Sequence, residues 1–262
     1  MGKIDLSQIS TTSLKFCKNK EDALKLTGDL QRQMYDLLYL MFAHDKYSLL
    51  IILQGIDTAG KDGTVRHIFS SANPQGIKVF SFKKPSLEET RHDILWRCHL
   101  HTPECGLTTI FNRSYYEEVT TVMVHPKLLE QQHIPQEFLK RSDFFKRRYE
   151  RINDFEKLLT QKGTVLIKLF LHISKEEQGK RIKERLQNRS KNWKFSRADL
   201  KERRHWNKYM STFEKMLLET NTPHAPWHII PSDNKWYRDF LVSKLIVEAL
   251  QKLHMNFPRA EK

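Results

Sequence analysis

The sequence of 262 residues lacks several features, and each absence excludes a class of protein. Its three cysteines have no metal-ligand spacing, so neither a disulfide framework nor a zinc site is expected. Its apolar runs stay well short of the roughly 18 residues that a membrane-spanning helix requires. The first ten residues lack the apolar core of a secretory signal, so we expect a cytoplasmic protein without a membrane partner.

Acidic residues are too few to balance the basic ones. Lys and Arg number 45, Asp and Glu number 31, and the formal net charge is +14. Half of this excess falls between Lys175 and Arg204, where twelve basic residues face five acidic ones. Such a charge indicates a polyanionic partner, but it leaves open whether that partner is a nucleic acid, a membrane surface or a phosphate-rich small molecule.

The hydropathy pattern alternates between strands and helices. Short apolar runs lie at 49–53, 77–82, 107–111, 165–171 and 228–230. Between them are stretches of helical periodicity, such as 88–99 and 144–159, and an amphipathic helical segment at about 20–46 precedes the first strand. The pattern predicts an α/β fold with helices on both faces of a mostly parallel sheet. Because there is no repeat or Gly/Ser linker, we expect one domain over residues 1–262.

Glycine is scarce, with nine in the whole chain, yet Gly55, Gly60 and Gly63 fall within nine positions after the first apolar run. The segment Gly55-Ile-Asp-Thr-Ala-Gly-Lys-Asp-Gly-Thr64 has the spacing of a Walker A loop between a strand and a helix. Backbone N–H groups of such a loop wrap a phosphate, and Lys61 supplies a mobile positive charge. The bland alternative is a glycine turn that only links strand to helix. The candidate phosphate-binding residues here are Gly55, Ala59, Gly60, Lys61, Asp62, Gly63 and Thr64.

Two acidic residues distinguish this loop from the usual pattern. Asp62 replaces the Ser or Thr that normally follows the lysine and binds Mg²⁺. Asp57 places a carboxylate inside the loop, where it would repel phosphate unless a cation lies between them. Since Mg²⁺ is usually held by one or two carboxylates plus phosphate oxygens, we expect Asp57 to be a metal ligand. The alternative role for Asp57 is a local turn or helix cap.

Several motifs together resemble the polyphosphate kinase 2 family. They are the loop at 55–64, Phe-Lys-Lys-Pro-Ser at 82–86, His-Asp-Ile-Leu-Trp-Arg at 92–97, Asn-Arg-Ser-Tyr-Tyr-Glu-Glu at 112–118, Lys-Glu-Glu-Gln at 175–178 and Lys-Asn-Trp-Lys-Phe-Ser at 191–196. The resemblance covers about residues 20–250. It implies a three-layer α/β/α P-loop kinase fold whose helical lid spans about 175–204.

The resemblance also implies a reaction. The expected activity is transfer of phosphoryl groups between inorganic polyphosphate and adenine or guanine nucleotides, reversibly, with Mg²⁺ or alternatively Mn²⁺. Homo-oligomers are common in the resembled family, and no specific nucleic-acid partner is implied. An NTP-dependent nucleotide kinase is the nearest rival, because it shares the loop and lid. A nucleic-acid-binding protein is supported by charge alone and leaves the loop unexplained.

Site residues follow from the strand ends and from the matching motifs. Arg113 ends the third strand beside the loop, where it would stabilise a transferring phosphoryl group, unless it is a surface arginine that merely closes the strand. Asn112 stands where the family more often has a metal-binding Asp, so metal binding is expected to shift toward Asp57 and Glu117. By resemblance, further phosphate- or nucleotide-binding residues are Lys83, Asp93, Arg97, Arg181, Lys191 and Lys194.

The lid helix is expected to be weakly packed. Arg181, Arg185 and Arg189 lie on nearly one face, and only Ile182 and Leu186 offer apolar anchorage. A cationic, loosely held helix suits a lid over phosphates. The alternative is a plain solvent-exposed face with an ion pair between residues 177 and 181.

The residue at position 117 predicts which nucleotides accept the phosphoryl group. In the resembled family Asn or Asp at this position marks enzymes restricted to one acceptor, whereas Glu marks those that use both AMP and ADP. The chain therefore resembles the dual-acceptor subgroup, with Tyr115 in place of His and Glu118 in place of Asp as departures. The alternative is that Glu117 only complements a helix N-terminus.

Overall fold

The computed structural model describes residues 3–70, 72–189, 192–194 and 197–259. The lid residue Lys191 lies outside this part of the chain, as does the side chain of Lys194. Within the described part, no helix is both long enough and apolar enough to cross a bilayer.

In the described part of the chain, five strands form one sheet, and every pairing within it is parallel. In chain order they are β1 (Ser48–Gln54), β2 (Ile77–Ser81), β3 (Thr108–Asn112), β4 (Thr164–His172) and β5 (Trp227–Pro231), and across the sheet the order is β2-β3-β1-β4-β5. β1 is buried at every position because β3 and β4 flank it and helices cover both faces. The register places Leu53 opposite Asn112 and Leu169, so the carboxyl ends of the central strands meet at one edge.

Ten α-helices surround the sheet in the described residues. They are α1 (Lys20–His44), α2 (Lys61–Ile68), α3 (Trp96–His99), α4 (Thr121–Val124), α5 (Gln136–Leu139), α6 (Phe144–Gln161), α7 (Lys175–Gln187), α8 (Arg197–Glu202), α9 (Trp206–Glu219) and α10 (Lys235–Gln251). α1, α2 and α10 pack together on one face of the sheet. The other face carries α6 and α9, where Lys168 meets Glu156 and the Phe170 ring meets that of Phe213. The expected α/β architecture is confirmed.

One helix prediction is wrong. The periodic stretch 88–99 forms a short 3-10 turn at Glu89–Arg91 and then the one-turn helix α3. Between them His92 is extended, and Asp93 Oδ1 accepts a hydrogen bond from the Leu95 amide at 2.8 Å. A side chain that binds the backbone two residues later stabilises a turn in place of a helical hydrogen bond, so the continuous helix is lost.

Candidate functional site

The loop after β1 needs glycine at two positions because other groups approach its backbone closely. Gly55 has φ +148°, and a Cβ there would lie 2.7 Å from the Leu171 carbonyl oxygen. Gly60 has φ +109°, and a Cβ there would overlap the guanidinium of Arg238. Thr58, at φ +66°, also adopts the left-handed conformation. The loop is therefore a tightly enclosed turn that leads directly into α2.

Lys61 opens α2 and folds back over this loop. Its Nζ donates to the Gly55 carbonyl at 2.8 Å and to the Ile56 carbonyl at 3.3 Å. The pKa of Lys61 is lowered to about 8, chiefly by burial and in addition by the positive charge of Arg113. Nearby carboxylates oppose this shift, namely those of Asp57, Glu117 and Asp62. The structure thus brings the predicted lysine, arginine and carboxylates around one point.

Arg113 and Asp57 face each other across the mouth of the loop. Arg113 follows β3 with φ +64°, a conformation uncommon for a residue with a side chain. Its Nη2 lies 3.8 Å from Asp57 Oδ1, while Arg185 Nη1 lies 3.4 Å from Asp57 Oδ2. Glu117 contributes most to raising the pKa of Arg113, and Asp57 adds to the rise. The guanidinium therefore lies between two carboxylates at the carboxyl edge of the sheet.

Asn112 acts as a hydrogen-bond donor at this edge. Its Nδ2 donates to Asp62 Oδ1 at 2.7 Å and to Ser81 Oγ at 3.3 Å. An Asp at position 112 would have no proton to donate to Asp62. The asparagine thus holds the Asp62 carboxylate in place. The Thr64 hydroxyl donates to the Gly60 carbonyl at 3.1 Å.

Glu117 lies on a short 3-10 helix, Tyr115–Glu118, which is held by buried hydrogen bonds. The hydroxyls of Tyr115 and Tyr116 both donate to Glu156 Oε1, at 2.9 and 2.5 Å. Glu156 in turn pairs with Lys168 at 2.7 Å, and both side chains of that pair are fully buried. Sequence reasoning missed this network, although the lysine inside the apolar run 165–171 signalled a buried charge.

A cavity of about 290 Å³ opens beside this helix. Asp93, Arg97 and Glu118 line it on one side, and Phe138, Phe144 and Arg148 of α5 and α6 line it on the other. Arg97 is buried, and its Nη1 donates to the Lys83 carbonyl at 2.8 Å. The structure thus brings the predicted residues Asp93 and Arg97 together, whereas Lys83 contributes its backbone and its side chain is exposed.

Glu118 forms the inner wall of this cavity between two buried arginines. Its carboxylate lies 3.7 Å from Arg97 Nη2 and 3.5 Å from Arg148 Nη1, and it accepts from Gln132 at 2.6 Å. Burial raises the pKa of Glu118 while the arginines and the Gln132 amide oppose the rise. The result is a rigid polar wall in a cavity that is otherwise partly aromatic.

The expectation of a weakly packed lid helix is wrong for the first half of α7. Gln178, Arg181 and Ile182 are buried there. The Arg181 guanidinium donates to carbonyls of the phosphate loop, and the Gln178 amide donates to the Asp57 carbonyl. The sequence suggested mobility because apolar residues are few, but polar side chains supply the packing contacts instead.

Arg238 of α10 is a site residue that sequence reasoning missed. It is fully buried behind Gly60, and its Nε and Nη2 donate to Asp239 Oδ1 at 2.8 and 2.7 Å. Burial lowers the pKa of Arg238, and Asp239 counteracts part of that effect. Nothing in the sequence around Arg238 indicates that its guanidinium will reach a loop 178 residues earlier.

A divalent cation needs several oxygen ligands. Within the described residues, no group of three or more His, Cys, Asp or Glu side chains could hold a metal by itself. The Asp57 side chain is about one-third exposed and lies next to Arg113. Glu117 also interacts electrostatically with Arg113. Oxygen ligands from one or two carboxylates, completed by phosphate oxygens, are what Mg²⁺ prefers, so the residues present fit it.

The fold and site define a class of protein. A glycine loop between a buried parallel strand and a helix, with a lysine over the loop and an arginine at the next strand end, is typical of P-loop proteins that handle phosphoryl groups.

Comparison with known proteins specifies the family. The model of the family described as "Polyphosphate kinase 2 (PPK2)" matches residues 17–258. An "ADP-polyphosphate phosphotransferase" of Rhodopseudomonas palustris is 43% identical over 256 residues, covering 98% of this chain and 89% of that protein. An "AMP/ADP-polyphosphate phosphotransferase" of Meiothermus ruber is 41% identical over 261 residues, covering 99% and 93%.

A solved structure agrees with this assignment. The crystal structure of polyphosphate kinase 2 from Arthrobacter aurescens superposes with a TM-score of 0.91 at 37% identity, covering 99% of this chain and 89% of that one. The chain therefore belongs to the polyphosphate kinase 2 family. The resemblance and the P-loop kinase fold expected from the sequence motifs are confirmed.

Proposed function

We propose that this protein transfers a phosphoryl group between inorganic polyphosphate and nucleoside mono- and diphosphates, converting AMP to ADP and ADP to ATP, and the reverse. The convergence of Lys61, Arg113 and Asp57 at the loop mouth carries the proposal. Two relatives that share over 40% of their residues with this chain bear names of such phosphotransferases.

The donor is proposed to lie along the loop mouth. Backbone N–H groups of the loop and the Lys61 ammonium bind the phosphates that flank the bond being broken. Arg113, held between two carboxylates, presents its donors to the charge that develops on the transferring group. A long polyanion also suits the net charge of +14 better than a single nucleotide does.

The acceptor is proposed to occupy the cavity. Phe138 and Phe144 offer apolar surface to an adenine or guanine base, and Asp93 and Arg97 offer polar groups. Glu118 lines the cavity and Glu117 precedes it in the chain, so an acceptor bound there is proposed to extend its phosphate toward Arg113.

Asp57 and Glu117 are proposed to hold Mg²⁺, or alternatively Mn²⁺. When bound, the cation would neutralise phosphate charge and orient phosphate oxygens. Asp57 supplies an oxygen ligand at the loop mouth, and Asp62 is held by the 2.7 Å hydrogen bond from Asn112.

A choice of donors tests the proposal. The protein is incubated with Mg²⁺ and either AMP or ADP, with polyphosphate or GTP as the only donor. Formation of ATP with polyphosphate supports the proposal. Formation of ATP with GTP alone would assign the protein to the NTP-dependent nucleotide kinases instead.

The Glu117→Ala variant is expected to lose AMP use more than ADP use. Glu117 lies beside Arg113, and a bound AMP offers that arginine one phosphate where ADP offers two, so AMP depends more on the carboxylate and its cation. We expect kcat/KM for AMP to fall at least tenfold more than kcat/KM for ADP. Steady-state kinetics with both acceptors measure this, with Glu130→Ala, an exposed carboxylate in the following segment, as control. Equal losses, or a wild type inert toward AMP, would contradict the dual-acceptor assignment.

Polyphosphate binding is expected to take up protons near pH 8. The pKa of Lys61 is about 8, so close to half of the free protein carries a neutral amine at that pH. Bound phosphates favour the ammonium, so binding should draw in about half a proton at pH 8, more at higher pH and almost none below pH 7. Titration calorimetry in two buffers of different ionisation enthalpy measures the uptake. The same uptake in Lys61→Ala would show that another group is responsible.

A further inference from the structure

Every N–H donor of the Arg181 guanidinium has a protein acceptor. Nε donates to Glu177 Oε1 at 2.7 Å, and Nη1 donates to the carbonyls of Thr58 and Ala59 at 3.1 and 2.9 Å. Nη2 donates to the carbonyls of Ser232 and Asp233 at 2.5 and 3.1 Å. Since an arginine side chain has five such donors, none remains for a phosphate. The side chain is also only 6% exposed.

Three consecutive carbonyls of the phosphate loop accept hydrogen bonds from side chains of α7. The Asp57 carbonyl accepts from the Gln178 amide at 3.2 Å, and the next two carbonyls accept from Arg181. In a trans peptide the N–H of the next residue points opposite to the carbonyl. The amides of Thr58 and Gly60 are therefore turned away from α7, while that of Ala59 closes a turn onto the Ile56 carbonyl at 3.1 Å. Backbone amides of one loop that are turned to the same side form an anion-binding concavity.

Arg238 closes the loop from a second direction. Its guanidinium occupies the place of a Gly60 side chain, and Arg181 Nη1 lies 3.5 Å from that same place. Two buried guanidiniums thus border one glycine, one bound to loop carbonyls and the other to Asp239. This packing restricts the loop before any phosphate binds.

We propose that Arg181 is a positioning residue of the phosphate loop and not a ligand of polyphosphate in the lid. It holds the Thr58 and Ala59 carbonyls toward α7 and links them to the segment after β5, so that the Gly60 amide faces the phosphate. The proposal deepens the proposed function and rests on it, because it takes the loop to be the phosphate-binding element.

Two substitutions at Arg181 and a matched control test this role. Arg181→Met removes the charge and the donors, while Arg181→Lys keeps the charge with three donors at a single point that cannot span both pairs of carbonyls. Lys183→Met removes one exposed charge from the same helix. Hydrogen–deuterium exchange of a peptide spanning residues 55–62 is measured in the free protein, and steady-state kinetics are measured with polyphosphate and ADP.

For both Arg181 variants we expect the loop amides to exchange at least tenfold faster, and kcat to fall about 100-fold, the cost of displacing reacting groups by about 1 Å. Lys183→Met should match the wild type in both measurements. Wild-type exchange in Arg181→Met, with a raised KM for polyphosphate that Arg181→Lys restores, would show that Arg181 binds phosphate directly and would overturn the proposal.

A milder variant serves if Arg181→Met does not fold. Gln178→Glu removes the amide that donates to the Asp57 carbonyl. It keeps a side-chain oxygen that can accept from Arg203 Nη1, as Gln178 Oε1 does at 2.8 Å in the wild type. It should raise exchange in the same peptide, and unchanged exchange there would count against the proposal. A wild type inactive with polyphosphate would refute the proposed function, whereas the exchange experiment would still decide whether Arg181 holds the loop.

Discussion

The Lys61→Ala variant should lose about 10³-fold or more in kcat with polyphosphate and ADP, because a point charge directed at the transferring phosphoryl group disappears. The fold should survive. Among the described residues, the hydrogen bonds of the Lys61 ammonium go to carbonyls of its own loop, at Gly55 and Ile56.

Stability gives an independent check on the same variant. The pKa of Lys61 in the folded protein, about 8, is below its ordinary value of 10.5. Because the pKa of this basic group is lowered on folding, its positive charge reduces the free energy of unfolding. The reduction is complete below pH 8 and vanishes as the pH rises toward 10.5. At pH 7 the variant should therefore melt no lower than the wild type.

Stopped assays of ATP formation and thermal melting measure the two effects. Lys78→Ala is the matched control, since that lysine pairs with Glu104 at the sheet edge and lies half exposed. An active Lys61→Ala variant would remove the phosphate loop from the proposed reaction.

The second large effect is expected for Asp57→Asn. The amide keeps the size of the carboxylate but loses its charge, so the cation ligand at the loop mouth is weakened and Arg113 and Arg185 lose a partner. We expect kcat/KM to fall by about 10³-fold, in line with several kcal/mol of metal-based charge stabilisation. The Mg²⁺ concentration for half-maximal activity should rise.

Activity against Mg²⁺ concentration measures this shift, and Mn²⁺ binding followed by electron paramagnetic resonance gives a readout that does not depend on turnover. Asp36→Asn, an exposed carboxylate on α1, is the control. Wild-type activity with a wild-type metal titration would reduce Asp57 to a turn residue.

Some parts of the site could be predicted because their determinants are local. The strand, the loop and the start of α2 follow one another within about twenty residues, and their apolar run, glycine spacing and lysine are all visible in the sequence. Arg113 could also be placed, since the carboxyl ends of parallel strands meet at one edge. The periodic stretch 88–99 misled because Asp93 binds its own backbone, which a count of apolar residues does not detect.

The sequence by itself determined the parallel α/β sheet, the glycine loop after β1 and the lysine at its end, because hydrophobic periodicity and glycine spacing act over short distances. Only the tertiary structure decided what supports them. Arg181 donates to loop carbonyls more than 120 positions earlier in the chain and to carbonyls about 50 positions later. Lys168 forms an ion pair with a carboxylate on α6. A buried charge is stable only where packing brings its partners within hydrogen-bonding distance, and that is a property of the folded chain.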